Sequence, residues 1–272
     1  MGRLLRPDPV IAVAAGSLVV LGVCVYLLYR GAGPTSGRSA DRPLVVYCAA
    51  ALKPVMQAIA ADYEQVTGGR VLFRFGNSGE ILANAALHRD GDLFLPADDG
   101  FVRLAEDRGL IGERFPLARM RAVVVTRPGN PRNVARLDDL LDPGLKLGQA
   151  NPDAAAIGKV TRDHLRTLGR WGALRANTKV LHGTVTDALT AVQIGATDAA
   201  VVWDVVAASD PSLAVVRVPE LDGATARVEL AVLKSSSDPE AARRFARFVR
   251  DPDRGGRHFR AAGFTDLAPA AP

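Results

Sequence analysis

The seven residues Phe75–Ile81, F-G-N-S-G-E-I, place an amide and a hydroxyl between two glycines, with a carboxylate directly after the second, where an extended run gives way to a helical one. Three readings fit this set. Ser78 Oγ with the free backbone N–H groups of a helix start offers a seat for a small anion. The same residues resemble the G-x-S-x-G nucleophile elbow of a serine hydrolase. Glu80 stands where the last glycine should be, however, and no His-and-Asp pair presents itself by chain order. The third reading is a strand-to-helix turn, with Asn77 as N-cap and Glu80 three residues on as in a capping box. From these residues alone the turn and the anion seat both stand. Elsewhere, His88, His164, His182 and His258 are scattered without ligand spacing, so no cation site is expected. Asp92, Asp98 and Asp99 fit helix capping better than a metal site. No cofactor motif is found.

The elements that would position Ser78 follow from hydrophobic patterning. Leu44–Cys48 reads as a buried strand, and a helix follows from Ala49 to Thr67 with Pro54 in its first turn and Val55, Ile59 and Tyr63 on one face. Gly68-Gly69 stops it. Strand Arg70–Phe75, helix Ser78–His88, strand Asp92–Pro96 and a helix from about Phe101 to Arg108 come next. Strand Met120–Thr126 leads to a break at Pro128–Pro131, and a second set begins. That set has a short helix Leu137–Leu141, strand Lys146–Ala150, a helix ending near Leu168, strand Lys179–Leu181, helix Val185–Ile194 and strand Ala199–Trp203. Strand Val228–Leu233, helix Pro239–Arg250 and a last helix ending near Gly263-Phe264 close the chain. The alternation predicts parallel α/β sheets in two lobes, joined where strands cross near Arg121–Thr126 and Arg227–Leu233. A cleft between lobes is a preferred ligand site. Four loop-to-helix junctions could face it: Ala49–Leu52, Gly76–Glu80, Ala154–Gly158 and Gly183–Val185. Lys53 and Lys159 are the only cations near these junctions, so an anion would be held by neutral dipoles. Every α/β domain has such junctions, and by itself the pattern is weak.

At 272 residues the chain is long enough for one large or two small domains. It opens with an uncharged run, Val10–Tyr29, long enough to span a bilayer, preceded by Arg3 and Arg6 and followed by Arg30, Arg38 and Arg42. The run continues apolar up to its basic stop without a convincing cleavage site, which favours an uncleaved membrane anchor (residues 1–30) over a removable signal. Residues 31–42 read as a flexible linker. The formal net charge of +5 is no case for nucleic acid. Residues 1–42 hold five Arg and two Asp, so +3 sits there and +2 remains for the globular part. Cys24 and Cys48 lie in different segments and are not expected to pair.

The ordered set V-V-Y-C-A-A-A-L-K-P-V-M-Q-A-I-A, F-G-N-S-G-E-I-L, D-L-F-L-P-A-D, N-P-D-A-A-A-I-G, D-A-L-T-A-V, A-V-V-W-D and G-F-T resembles the molybdate-binding proteins of ABC importers. These have the two-lobed type II periplasmic binding fold, and the resemblance covers roughly residues 44–267. It implies a non-enzymatic receptor on the periplasmic or extracytoplasmic face, which the apolar run at residues 10–29 would tether. Such a receptor closes on a tetrahedral oxyanion, molybdate or tungstate, and delivers it to an ABC permease with its ATPase subunit. It also implies one lobe from 43–121 plus 227–267 and another from 122–226. The family's ligand positions fall on Ala51, Ser78, Ile157, Val185 and Trp203, with Asn77 as a neighbour able to compensate. Ser78 matches. Ala51 stands where the family usually has a serine, and Trp203 where it often has a tyrosine; Trp203 reads equally as lobe core. These departures keep open a receptor or sensor for sulfate, phosphate or an organic acid. Iron receptors of this fold use tyrosine clusters, and beyond the anchor only Tyr47 and Tyr63 are present.

Overall fold

Runs of β-branched and aromatic residues alternate with amphipathic stretches in this chain, and the structure resolves that alternation into nine strands and nine α-helices among the described residues. The computed structural model describes residues 42–264 and Leu267. The chain divides into two units, Met1–Asp41 and Arg42–Pro272. The expected anchor Val10–Tyr29 and all but the last residue of the expected linker lie outside the described residues. Among the described residues no helix is long and apolar enough to cross a membrane.

The first lobe opens with β1 (Leu44–Ala49), a 3-10 turn (Ala50–Leu52) and α1 (Lys53–Thr67). Then come β2 (Val71–Gly76), α2 (Ser78–His88), β3 (Leu93–Leu95) and α3 (Asp99–Asp107). Gly68 ends α1 in the left-handed region at φ 72°, which glycine adopts without strain. β4 (Ile111–Thr126) leads to the second lobe: β5 (Leu147–Ala150), α4 (Ala156–Thr167), α5 (Trp171–Asn177), β6 (Thr178–His182), α6 (Val185–Gln193), β7 (Ala199–Trp203), α7 (Asp204–Ala207) and β8 (Ala214–Val216). β9 (Thr225–Leu233) returns to the first lobe, where α8 (Pro239–Arg250) and α9 (Gly255–Ala261) finish it.

The strand order is β2-β1-β3-β9-β4-β7-β5-β6, with β8 also paired to β4. β1 is parallel to β2 and β3, and β5 is parallel to β6 and β7. Between these parallel sets lies an antiparallel ladder. β4 pairs with β9 from Ile111 to Arg121, then with β7 and β8 from Ala122 onward. Ala122 N–H donates to Ala224 O at 2.8 Å, so both crossing segments meet at one point. The central parallel strands β1, β3, β5 and β7 are buried on both faces, whereas the edge strands β2 and β6 are partly exposed.

Three expectations need correction. The sheet is mixed, because two long strands must run between lobes in opposite directions. The strand expected at Met120–Thr126 begins at Ile111. Its first half carries charges and Pro116, and its register with β9 shifts between Ile111 and Arg114 and between Pro116 and Ala118. Irregular pairing of this kind tolerates proline and hides the period-two signal. The helix Trp171–Asn177 and the short helix Asp204–Ala207 were not anticipated, while the short helix expected at Leu137–Leu141 forms with those bounds as a 3-10 helix.

Gly158, in the first turn of α4, has no room for a side chain. A Cβ there would lie 2.3 Å from Ala150 O and 2.8 Å from Pro152 N, both backbone. Gly158→Ala is expected to destabilise by about 2–3 kcal/mol in denaturant unfolding, since overpacking against backbone cannot relax. Gly172→Ala, with nothing within 4 Å, is the control and should be neutral or mildly stabilising.

Candidate functional site

β1–β3 run in the direction of β4 and β5–β7 run against it, so the carboxyl ends of the two parallel sets face each other across the lobe crossing, and the helix starts that follow them converge. Together they line one small cavity. Ala49, Ala50 and Ala51 come from the end of β1 and the turn after it, and Gly76, Asn77 and Ser78 from the β2–α2 junction. Ala97 follows β3, while Ala155, Ala156 and Ile157 form the start of α4. Thr184 and Val185 begin α6, and Trp203 ends β7. The cavity volume is about 20 Å³ for the centre of a water-sized sphere. Adding the sphere's own radius gives a space of roughly 3 Å radius. No charged side chain lines it.

The caps show which N–H groups are committed. In α2, Asn77 Oδ1 takes the Glu80 N–H at 2.8 Å, and Gly79 N–H goes to Ala154 O at 2.9 Å. The Ser78 N–H, at the first helical position, has no intrahelical acceptor. In α6, Thr184 and Asp187 form a reciprocal capping box, with Asp187 N–H donating to Thr184 Oγ1 and Thr184 N–H to Asp187 Oδ2. That leaves the Val185 N–H. The start of α4 has no side-chain cap, nor has the 3-10 turn at Ala50. A capping box was expected at Asn77 and Glu80, and only the Asn77 half forms. The Glu80 carboxylate lies over Gly76, close enough that a Cβ on Gly76 would be 2.6 Å from Glu80 Oε2.

Ser78 is buried, and its Oγ accepts the Ala97 N–H at 3.1 Å. With an acceptor position used, the hydroxyl proton is free to be donated elsewhere. Trp203 is 1% exposed, at the wall of the cavity and opposite Ala122 in the β4–β7 register, so one residue touches both cavity and lobe crossing. Lys53 lies over the Phe75 ring at 5.5 Å and Lys159 pairs with Asp98 at 3.6 Å; neither lines the cavity. Asp98 and Asp204, the neighbours of Ala97 and Trp203, are held above the usual carboxylate range by burial. Backbone N–H donors oppose this at both, along with the Lys159 charge at Asp98 and the Arg121 charge at Asp204. Asp98 caps α3 through Gly100 N–H. Cys48 is buried in β1, and desolvation pushes its thiol up, away from thiolate chemistry.

All six residues singled out from the sequence, Ala51, Asn77, Ser78, Ile157, Val185 and Trp203, come together in this cavity. The side-chain oxygen of Asn77 is engaged in its cap. Sequence reasoning missed Ala97, whose backbone N–H fixes Ser78, and Thr184, whose hydroxyl caps α6. Ala97 lies in the D-L-F-L-P-A-D run, but nothing in an alanine announces a hydrogen-bonding role.

Comparison with known proteins places residues 44–265 in a match to the family model described as bacterial extracellular solute-binding protein. The chain is 31% identical over 221 residues to the molybdate-binding protein ModA of Mycobacterium tuberculosis, covering 80% of this chain and 82% of that protein. Among solved structures, the periplasmic molybdate-binding protein of Azotobacter vinelandii aligns with a TM-score of 0.72 at 22% identity, over 83% of this chain and 99% of that one. The sulfate-binding protein SubI of M. tuberculosis aligns at 0.70 and 20% identity, over 85% and 88%. At such identities the two structures show the fold.

Removing the Asn77 cap and charging it separate its two possible roles. Asn77→Ala should lower stability by about 1 kcal/mol in chemical denaturation. Asn77→Asp keeps the cap, so the unfolding midpoint should hold at neutral pH while anion binding weakens, as titration calorimetry would read.

Proposed function

This chain belongs to the bacterial extracellular solute-binding protein family, and we propose that its solute is a tetrahedral oxyanion, molybdate or tungstate, captured for an ABC import system. The observation that carries this reading is the cavity itself: a space of roughly 3 Å radius, lined by neutral groups and by the first turns of helices. A central atom with four oxygens fits such a space. The proposed ligands are the N–H groups of Ala51, Ile157 and Val185, the N–H and Oγ–H of Ser78, and the Trp203 indole, with Asn77 at the rim.

The donor set bears on selectivity. The Ser78 oxygen already accepts from Ala97, so a protonated oxyanion would bring a donor to a place that offers donors. That disfavours phosphate. Sulfate, fully deprotonated at neutral pH, is the rival, and a sulfate-binding protein is among the structural relatives. Ala51 supplies no hydroxyl, and the loss of one neutral hydrogen bond weakens the site by about 1 kcal/mol. Against an enzyme stands the surroundings of Ser78: its partner is a backbone N–H, and no histidine or carboxylate lines the cavity to act as a base.

The lobe division 43–121 plus 227–267 against 122–226 is supported by β4, which changes partners between Arg121 and Ala122. Closure of these lobes about the crossing strands would shut the oxyanion away from water. The apolar run Val10–Tyr29 supports tethering at the extracytoplasmic membrane face, where a permease and its ATPase would receive the solute.

Titration calorimetry and thermal unfolding with sodium molybdate, tungstate, sulfate and phosphate test the reading. Molybdate or tungstate should raise the unfolding temperature by mass action, the equivalent of about 2.7 kcal/mol at a hundredfold excess over Kd. Ser78→Ala should weaken binding about 10- to 100-fold, and Ala51→Ser should strengthen it. Absence of heat with every tetrahedral dianion, alongside tight binding of an organic or cationic solute, would overturn it.

A further inference from the structure

The start of α4 reaches across to the first lobe at two places outside the cavity wall. Gly79 N–H donates to Ala154 O at 2.9 Å, and Lys159 Nζ stands 3.6 Å from Asp98 Oδ2. Gly79 and Asp98 belong to the lobe built on β1–β3. Ala154 and Lys159 belong to the lobe built on β5–β7. Each contact also flanks a cavity residue: Gly79 follows Ser78, Asp98 follows Ala97, and Lys159 lies two residues beyond Ile157.

Asp98 divides its carboxylate between two tasks. Oδ1 takes the Gly100 N–H and caps α3, a job complete within its own lobe. Oδ2 is buried without a hydrogen-bond partner, in a residue only 3% exposed, and the opposing charge comes from the other lobe. A buried carboxylate oxygen met this way is costly unless the cation stays in place. If the lobes part, water reaches Oδ2, and Lys159 keeps a partner on its own helix in Asp163, at 3.2 Å. Both ions therefore have somewhere to go on opening.

Gly79 carries an independent sign of the same contact. Its backbone is helical, yet a Cβ there would lie 3.0 Å from Ala154 O and 3.3 Å from Ala154 Cα. The space is short because of the opposite lobe.

We propose that the Asp98–Lys159 pair and the Gly79–Ala154 hydrogen bond form a closure latch, so that solute affinity is set partly by residues that never touch the solute. The inference rests on the reading of the protein as a receptor whose lobes close. Its expected signature is kinetic: breaking a contact made only on closing speeds release more than it slows capture.

The test uses the full chain with three changes made separately: Lys159→Gln, Asp98→Asn (which keeps the capping oxygen) and Gly79→Ala. With sodium molybdate, each should raise the dissociation rate, about 3- to 10-fold for the charge changes, and leave the association rate within about twofold. The Asp98→Asn/Lys159→Gln double variant should be no worse than either single one. Gly79→Ala should weaken binding while the ligand-free unfolding midpoint holds or rises, because alanine suits a helix better than glycine. Charge variants that lower the ligand-free midpoint and leave the dissociation rate alone would make the pair a static brace and overturn the latch. A second readout follows the lobes themselves. In the molybdate-bound chain, spin labels at L87C and I194C, exposed sites on α2 and just past α6, in a C24A background should report a larger long-distance population in Lys159→Gln than in the parent chain. An unchanged distance distribution in all three variants overturns the latch, whereas failure of every oxyanion to bind overturns only the solute assignment.

Discussion

The first-turn N–H groups of a helix have no acceptor within that helix, and each one buried unmet costs about as much as a lost hydrogen bond. Here several helix starts from two lobes end in the same buried place. Side-chain and cross-lobe acceptors claim some of their donors: Asn77 takes Glu80 N–H, Ala154 takes Gly79 N–H and Thr184 takes Asp187 N–H. The first helical N–H groups of α2, α4 and α6 have no acceptor within their own helices, and Ser78, Ala156 and Val185, which carry them, all line the cavity. Helix starts favour negative charge near them, and no charged side chain lines the space.

Convergence of this sort depends on strand direction. Parallel strands place all their carboxyl ends on one edge, so β1, β2 and β3 deliver their following turns to one rim, and β5, β6 and β7 deliver theirs to the other. The antiparallel β4–β9 ladder brings the rims together, since one continuous strand serves both sheets. Trp203 shows how closely site and crossing are joined: it lines the cavity, pairs with Ala122, and is followed by Asp204, which accepts the Arg121 N–H at 3.2 Å. A change in the angle of β4 at Arg121–Ala122 must move Trp203 relative to Ser78.

How far the sequence disclosed this differs between elements. Helix Ser78–His88 was legible to the residue because glycine, an Asn cap and an apolar stripe all mark its limits. The long β4 was not, because its first half lies on irregular pairing and alternates charges with Pro116. Only its Val-rich end reads as strand. Ser78 was reached through its hydroxyl at a helix start and Asn77 through its cap, whereas Ala51, Ile157, Val185 and Trp203 were reached as candidates only through a resemblance; alanine, isoleucine and valine carry no functional signal in their side chains. For the same reason Ala97 could not be found. The carboxylate of Glu80 was placed in a capping box by its spacing, whereas the bare Cα of Gly76 lets it lie elsewhere. Spacing states which contacts are possible, and packing chooses among them.

A neutral site faces a difficulty that a charged one does not. Water solvates a dianion strongly, and a handful of uncharged donors can compete only if they are already oriented and if water is kept out once the ion is in. Orientation is settled locally: Ser78 is fixed by Ala97, Asn77 and Thr184 by their caps. Exclusion of water cannot be settled within one lobe, because each contributes only part of the wall. The free energy of holding the ion therefore depends on contacts between lobes that lie beside the cavity, and α4 is where those contacts gather. Its first turn lines the cavity, Ala154 just before it accepts from Gly79, and Lys159 faces Asp98. A cation placed in the cavity would bind any anion more tightly and discriminate less. Set just outside, against a buried carboxylate, the same charge strengthens closure and leaves selection to the geometry of the neutral donors.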